Sequence, residues 1–112
     1  MKLRVRGNSI RLRVTQRELD VLRDTGRVAE RLEFPQSPPL TYALCVDDSR
    51  EMPGAAFANG EIAVFLPRLR FEQWLNPQEV GICAAQALPD GGVLSLLIEK
   101  DFPCLMPRAG ED

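Results

Sequence analysis

Histidine is missing from the whole 112-residue chain. The usual base of a catalytic triad and the commonest transition-metal ligand are therefore both absent. Any enzyme or metal chemistry has to rest on carboxylates or thiols. Cysteine is sparse and scattered: Cys45, Cys83 and Cys104 form no CxxC pair, which argues against a disulfide framework and against a zinc knuckle. The three read as small apolar residues. No apolar run nears the roughly 18 residues that span a bilayer. The basic N-terminal stretch has no apolar segment behind it, so it does not read as a signal peptide, and the expected location is cytoplasmic with no membrane partner. Glycines stand singly or in turn pairs, which leaves no phosphate-cradling loop. No cofactor and no metal are expected.

What is present is an ordinary globular composition, 45% hydrophobic and 27% charged, expected to fold as one domain over residues 1–112. The charge is unevenly placed. Residues 1–31 carry nine Lys/Arg against four acids, and the remainder five against twelve, so +5 and −7 make up the net −2. The opening stretch MKLRVRGNSIRLRV holds five basic side chains and no acid. Such asymmetry allows contact with an anionic partner, and it equally allows the two halves to neutralise each other.

Leu3, Val5, Ile10, Leu12 and Val14 alternate with Lys and Arg, the period of half-buried strands, and Gly7-Asn8 suits a two-residue hairpin turn. Thr15-Gln-Arg-Glu18 is a capping box opening a short helix with Leu19 and Leu22 on one face, which Gly26 is placed to end. Strands are expected over about 28–34 and in LTYALCV, separated by the loop PQSPP. The second half repeats this order. Asn59-Gly60 is a turn, IAVFL a strand and Pro67 the first residue of a helix RLRFEQWLN. EVGICAA and VLSLLIEK are strands around the turn PDGG. Sliding one half onto the other superposes Val5 on Phe57, Ile10 on Ile62, Leu12 on Val64, Leu19 on Phe71 and Leu22 on Trp74. The expected fold is therefore mostly β: a strand–strand–helix–strand–strand unit used twice (about 1–48 and 53–102, with a tail 103–112), forming a small closed or nearly closed β-barrel with two short helices. A plain α+β sandwich is the alternative.

The segment RGNSIRLRVT, followed by a capped helix and a strand, resembles the swapped-hairpin domain of AbrB/MazE-type regulators. That resemblance implies a barrel built from two strand-rich units and DNA contact through the basic hairpin, with Asn8 and Arg13 as the first carried-over residues and Arg4 or Arg6 on the preceding strand. Thr15 stands where that family usually has proline, and the second turn reads Asn-Gly. Over the whole chain, KLRVRGNSIRLRV, LTYAL and LLIEKDFPCL resemble a small bacterial family of uncharacterised proteins, which implies no activity.

If Gly7-Asn8 is a two-residue turn, Arg6 lies opposite Ser9, Arg4 opposite Arg11 and Lys2 opposite Arg13. One face of the hairpin is then apolar and the other carries Lys2, Arg4, Arg6, Arg11 and Arg13. Like charges directly opposite each other destabilise a strand pair, so something should offset them. The plain expectation is pairing with Glu30, Glu33, Asp47 or Asp48; the functional one is a phosphate-binding face of Arg4, Arg6, Asn8, Arg11 and Arg13. The matching face of the second unit holds Ala56, Ala58, Glu61, Ala63 and Phe65, nearly uncharged, with Ala63 and Phe65 as candidates for a dimer interface or, for Phe65, for burial beneath the tail. Asp47, Asp48 and Glu51 form an acid cluster that reads first as a solvated turn. Cys104 near Lys100 and Arg108 is a candidate reactive thiol, and Trp74 reads as core. The expected function is a non-enzymatic binding or accessory module for a protein or small ligand. The alternative is a DNA-binding regulator, and a small enzyme without histidine is third.

Overall fold

The computed structural model describes residues 1–101. The opening hairpin is formed by β1 (Lys2–Arg6) and β2 (Ser9–Val14), and its register matches the expected one at every pair from Lys2 opposite Arg13 to Arg6 opposite Ser9. Helix α1 (Gln16–Thr25) starts at Thr15, whose hydroxyl accepts the Glu18 N–H at 3.2 Å while the Glu18 carboxylate accepts the Thr15 N–H at 2.9 Å. It ends at Gly26, which takes the left-handed conformation at φ 81° and returns its N–H to the Leu22 carbonyl; a side chain there would be strained.

Strands β3 (Arg27–Phe34) and β4 (Ser37–Asp47) follow, then β5 (Gly54–Ala58) and β6 (Glu61–Pro67), helix α2 (Arg68–Trp74), β7 (Gly81–Ala87) and β8 (Val93–Lys100). Several boundaries differ from expectation: β7 starts at Gly81 rather than Glu79, and α2 ends at Trp74 rather than Asn76. Pro67 caps α2 instead of being its first residue. Pro38 and Pro39 belong to β4 rather than to a loop, and both precede Thr41, the first β4 residue paired with β6. A proline has no N–H for a ladder, so this unpaired flank is where it can be tolerated.

The strands form two four-stranded sheets, ordered β1-β2-β8-β7 and β3-β4-β6-β5. Each consists of two antiparallel hairpins joined through a parallel pair, β2 with β8 and β4 with β6. Among the described residues the expected closed barrel is not found: each sheet keeps two edge strands. Side chains bridge these edges in place of ladders. Between β5 and β7, the Gln86 side chain accepts the Ala55 N–H at 2.7 Å. Between β1 and β3, the Met1 ammonium lies between Glu18 and Glu30, and the Tyr42 hydroxyl donates to the Met1 carbonyl at 3.2 Å. A few such contacts at a seam join two sheets without making them one.

The core lies between the sheets and under the helices. Leu12, Ile82 and Ile98 face Leu44, Val64 and Leu66, with Leu19, Leu22, Phe71 and Trp74 closing the helical end. Trp74 is fully buried and its indole N–H donates to the Val80 carbonyl at 3.1 Å, which answers the one polar demand such a residue makes. No helix among the described residues is long and apolar enough to cross a membrane.

Candidate anion-binding face

The outer face of the first sheet can be built row by row from strand register. Lys2, Arg13, Glu99 and Gly81 form one row; Arg4, Arg11, Leu97 and Cys83 the next; Arg6, Ser9, Ser95 and Ala85 the third. The basic hairpin therefore does not stand alone. Its second strand lies beside β8, 88 residues away in sequence at Arg11 and Glu99. The face grades from guanidinium groups on β1 and β2 to small and apolar side chains on β7 and β8. A shallow depression of about 690 Å³ runs across it, lined by Arg4, Arg6, Arg11, Cys83, Ser95 and Leu97 among others.

The acids that offset the hairpin are not the expected ones. Glu99 accepts from Arg11 Nε at 2.7 Å and from Arg13 Nε at 3.4 Å, and Asp101 pairs with Lys2 Nζ at 3.1 Å. The Arg11 hydrogen bond, with a smaller contribution from Arg13, outweighs partial burial and holds the Glu99 carboxyl below its ordinary value. Of the four acids expected in this role, Glu30 pairs with the Met1 ammonium, Glu33 lies beside Arg31, Asp47 beside Arg50 and Asp48 beside Arg68. The sequence holds no local signal for Glu99 and Asp101. Only the parallel β2/β8 pairing brings them to the hairpin.

Arg4 and Arg6 are different. Both are exposed on the edge strand, and neither has an ion-pair partner among the described residues. Arg4 lies directly opposite Arg11, so its charge is set beside a like charge rather than an acid. Asn8 is occupied within the fold. Its amide donates to the Val93 carbonyl at 2.6 Å and its own carbonyl accepts the Ser95 N–H, fastening the hairpin turn to the start of β8. The turn is thereby held in register beneath Arg6.

The second sheet presents a contrasting outer face. Ala56, Ala63, Ala43 and Ala29 form a row across all four strands, beside the row Gly54, Phe65, Cys45 and Arg27; Ala43 and the interface candidate Ala63 are themselves buried beneath their neighbours, and Phe65 is half-buried. The Phe65 ring is covered by the Arg50 guanidinium, 4.6 Å from its centroid. The tail that was the expected cover lies outside the described residues, as does Cys104. Arg27 pairs with Glu61 at 2.5 Å, and burial pushes the Cys45 thiol up despite the nearby Arg27.

The acid cluster is a turn. The Asp47 carboxylate accepts the Ser49 hydroxyl at 2.6 Å and the Ser49 N–H at 2.9 Å, bonds that lower its pKa, and Asp48 accepts from Arg68 at 2.9 Å. No group of three or more potential metal ligands occurs among the described residues.

Fold and face together define a small two-sheet β protein with a partly neutralised basic surface. Over residues 1–112 the chain matches the model of a family of unknown function, DUF7009, and it belongs to that family. No curated protein and no solved structure matches it.

Proposed function

We propose that the chain is a non-enzymatic binding module of the bacterial cytoplasm whose working surface is the outer face of the first sheet, where Arg4 and Arg6 take anionic groups of a partner. The observation that carries this reading is the division of the five basic side chains. Lys2, Arg11 and Arg13 have acidic partners from the end of β8, whereas Arg4 and Arg6 have none among the described residues. The paired groups stiffen the face; the other two are left to act on something else. A labelled acidic peptide and a labelled mixed-sequence duplex are the probes. Binding that weakens with salt and is lost in Arg4→Glu/Arg6→Glu supports the proposal. Binding of neither probe at low salt rejects it.

We further read the architecture as an internal duplication resembling a nearly closed swapped-hairpin barrel. Ile10 opposite Leu96 in one sheet corresponds to Ile62 opposite Tyr42 in the other, Ile10 and Ile62 being 52 positions apart, like Val5 and Phe57, and Tyr42 and Leu96 being 54 apart. Each half's first hairpin joins the other half's second hairpin, as the AbrB/MazE resemblance implies. This exchange favours a second reading, a DNA-binding regulator. Such a regulator needs two basic faces, and the alanine row makes the second sheet a poor one. Dimerisation through Ala63 and Phe65 would turn two copies of the basic sheet outward. Light scattering tests this arm: a dimer that Phe65→Asp makes monomeric while the fold survives supports it, and a monomeric wild-type chain removes it.

A further inference from the structure

Strand β1 is an edge of the first sheet, and the hydrogen-bond phase of its neighbour fixes which of its backbone groups are open. The Asn8 carbonyl accepts the Ser95 N–H and the Val14 carbonyl accepts the Asp101 N–H, so the even-numbered residues of β2 turn their backbone groups to β8. Ser9, Arg11 and Arg13 therefore turn theirs to β1, where they lie opposite Arg6, Arg4 and Lys2. In an antiparallel pair the residues between such partners face the other way. Leu3 and Val5 thus each aim an N–H and a C=O at the open edge, where no described strand lies. The gap toward β3, the neighbouring edge of the other sheet, is bridged at its start by Met1 with Glu30 and Tyr42. Beyond that point Val5 is 60% exposed and Leu32 of β3 is 50% exposed, although both stand on faces turned toward the core.

Such an edge invites a further strand, and its side chains decide which. A second copy of the same edge is excluded, because Arg4 and Arg6 would meet their own kind. The other edges are better guarded. Strands β5 and β7 are tied through Gln86, and Arg27 and Arg31 on β3 have Glu61 and Glu33. On β1 the two faces make different demands. Arg4 and Arg6, on the outer face, have no acid among the described residues, whereas Val5, on the inner face, lacks apolar cover. A duplex could answer the first demand but not the second. We infer that β1 is a strand-addition site for an extended peptide in which acidic and apolar residues alternate. Its backbone bonds to Leu3 and Val5, its acids meet Arg4 and Arg6, and its apolar side chains cover Val5 and Leu32. This partner class rests on the reading of Arg4 and Arg6 proposed above, to which it adds the kind of chain and its conformation.

The probe is a capped peptide of about nine alternating Glu and Val residues, ample for one strand, and the readout is amide hydrogen exchange on the full wild-type chain. Saturating peptide is expected to slow exchange at Leu3 and Val5 by about tenfold or more, while Arg4 and Arg6, already paired with β2, change little. A peptide of the same composition with its glutamates and valines in two blocks should give no such protection. Methylating the amide nitrogens of every second peptide residue should abolish protection for one set and spare it for the other, since a strand turns alternate residues toward its neighbour. Arg4→Glu/Arg6→Glu should weaken binding about tenfold. Slow exchange at Leu3 and Val5 before any peptide is added would mean that the edge is already filled, and overturns the inference. Equal protection by the block peptide overturns it too, as does equal behaviour of the two methylated peptides. Salt-sensitive binding of peptide or duplex without protection at Leu3 and Val5 ends strand addition but leaves the binding proposal standing. Protection that Arg4→Glu/Arg6→Glu fails to weaken removes the arginines from recognition; the binding proposal then falls, and strand addition stands on apolar contacts.

Discussion

Arg11 and Glu99 are 88 residues apart in sequence and 2.7 Å apart in space. The same Glu99 oxygen also takes the Arg13 Nε, so one carboxylate answers two guanidinium groups on the central basic strand. The pair is partly exposed, with about a third of the Arg11 side chain and a fifth of that of Glu99 open to solvent, and its worth is correspondingly modest. Its main consequence is electrostatic: it decides how much of the hairpin's positive charge is left for a partner.

Replacing that carboxylate should change affinity more than stability. Glu99→Gln removes one negative charge from the face while keeping the shape of the side chain. Unfolding free energy is expected to fall by about 1 kcal/mol or less, read from urea melts. Affinity for a labelled duplex should rise at low salt, because the freed Arg11 adds a phosphate contact. Weaker duplex binding by this variant would mean that the pair positions the face rather than neutralising it.

The two ends of the pH scale address different ion pairs. Hydrogen bonding from Arg11 depresses the Glu99 carboxyl below 4.5. The stability it contributes is present above the ordinary carboxylate value and is lost as pH falls through the depressed one. Burial alone would lower the Met1 ammonium, but the hydrogen bonds to Glu18 and Glu30 together carry its pKa above 8.0. That contribution is present below 8 and disappears as pH rises through the raised value. Urea midpoints should therefore decline toward pH 3 less steeply in Glu99→Gln, and toward pH 10 less steeply in Glu30→Gln, than in the wild type.

At the helical end of the core, Trp74→Phe deletes a donor that serves the Val80 carbonyl and leaves space beside Leu22 and Phe71. The Val80 carbonyl keeps the Lys100 N–H at 3.1 Å, so a loss of about 1–3 kcal/mol is expected from the one deleted hydrogen bond and the smaller ring. Thermal unfolding measures it. A neutral result would mean that water reaches Val80 once the indole is gone.

The seam between β5 and β7 depends on one amide. Gln86→Ala removes the acceptor of the Ala55 N–H, so amide exchange at Ala55 should accelerate at least tenfold while Leu44 and Ile98 remain protected. The global cost is about 1 kcal/mol, the usual net worth of one hydrogen bond. Unchanged exchange at Ala55 would show that the seam is closed by packing alone.

Local pattern made much of this fold legible. Alternation in Leu3–Val14 set the hairpin register, Thr15 and Glu18 the helix start, Gly26 its end, and Leu22 and Trp74, both read as apolar core, are buried. Strand partnership was not legible. Nothing in SIRLRV says that its neighbour is VLSLLIEK, because parallel pairing leaves no turn and no spacing between its members. The unseen β2/β8 pairing is also why Glu30, Glu33, Asp47 and Asp48 were the wrong acids to expect opposite the hairpin. The expectation of a closed barrel failed for a related reason: a pattern of apolar positions fixes which faces are buried, but not whether the last two edges meet through backbone or through Gln86 and Met1. Arg4 and Arg6 could be named from sequence. That they differ from Arg11 and Arg13 required knowing where Glu99 lies.

The most direct test of the central claim is the salt dependence of duplex binding by the wild type and by Arg4→Ala/Arg6→Ala, followed by fluorescence anisotropy from low to moderate salt. If these two arginines hold phosphates, the slope of log K against log salt should become shallower by about 1.8 in the double variant, nearly one unit for each lost contact. Identical slopes, or duplex binding by neither protein, would contradict the account and leave the basic hairpin as a solvated strand face balanced by Glu99 and Asp101.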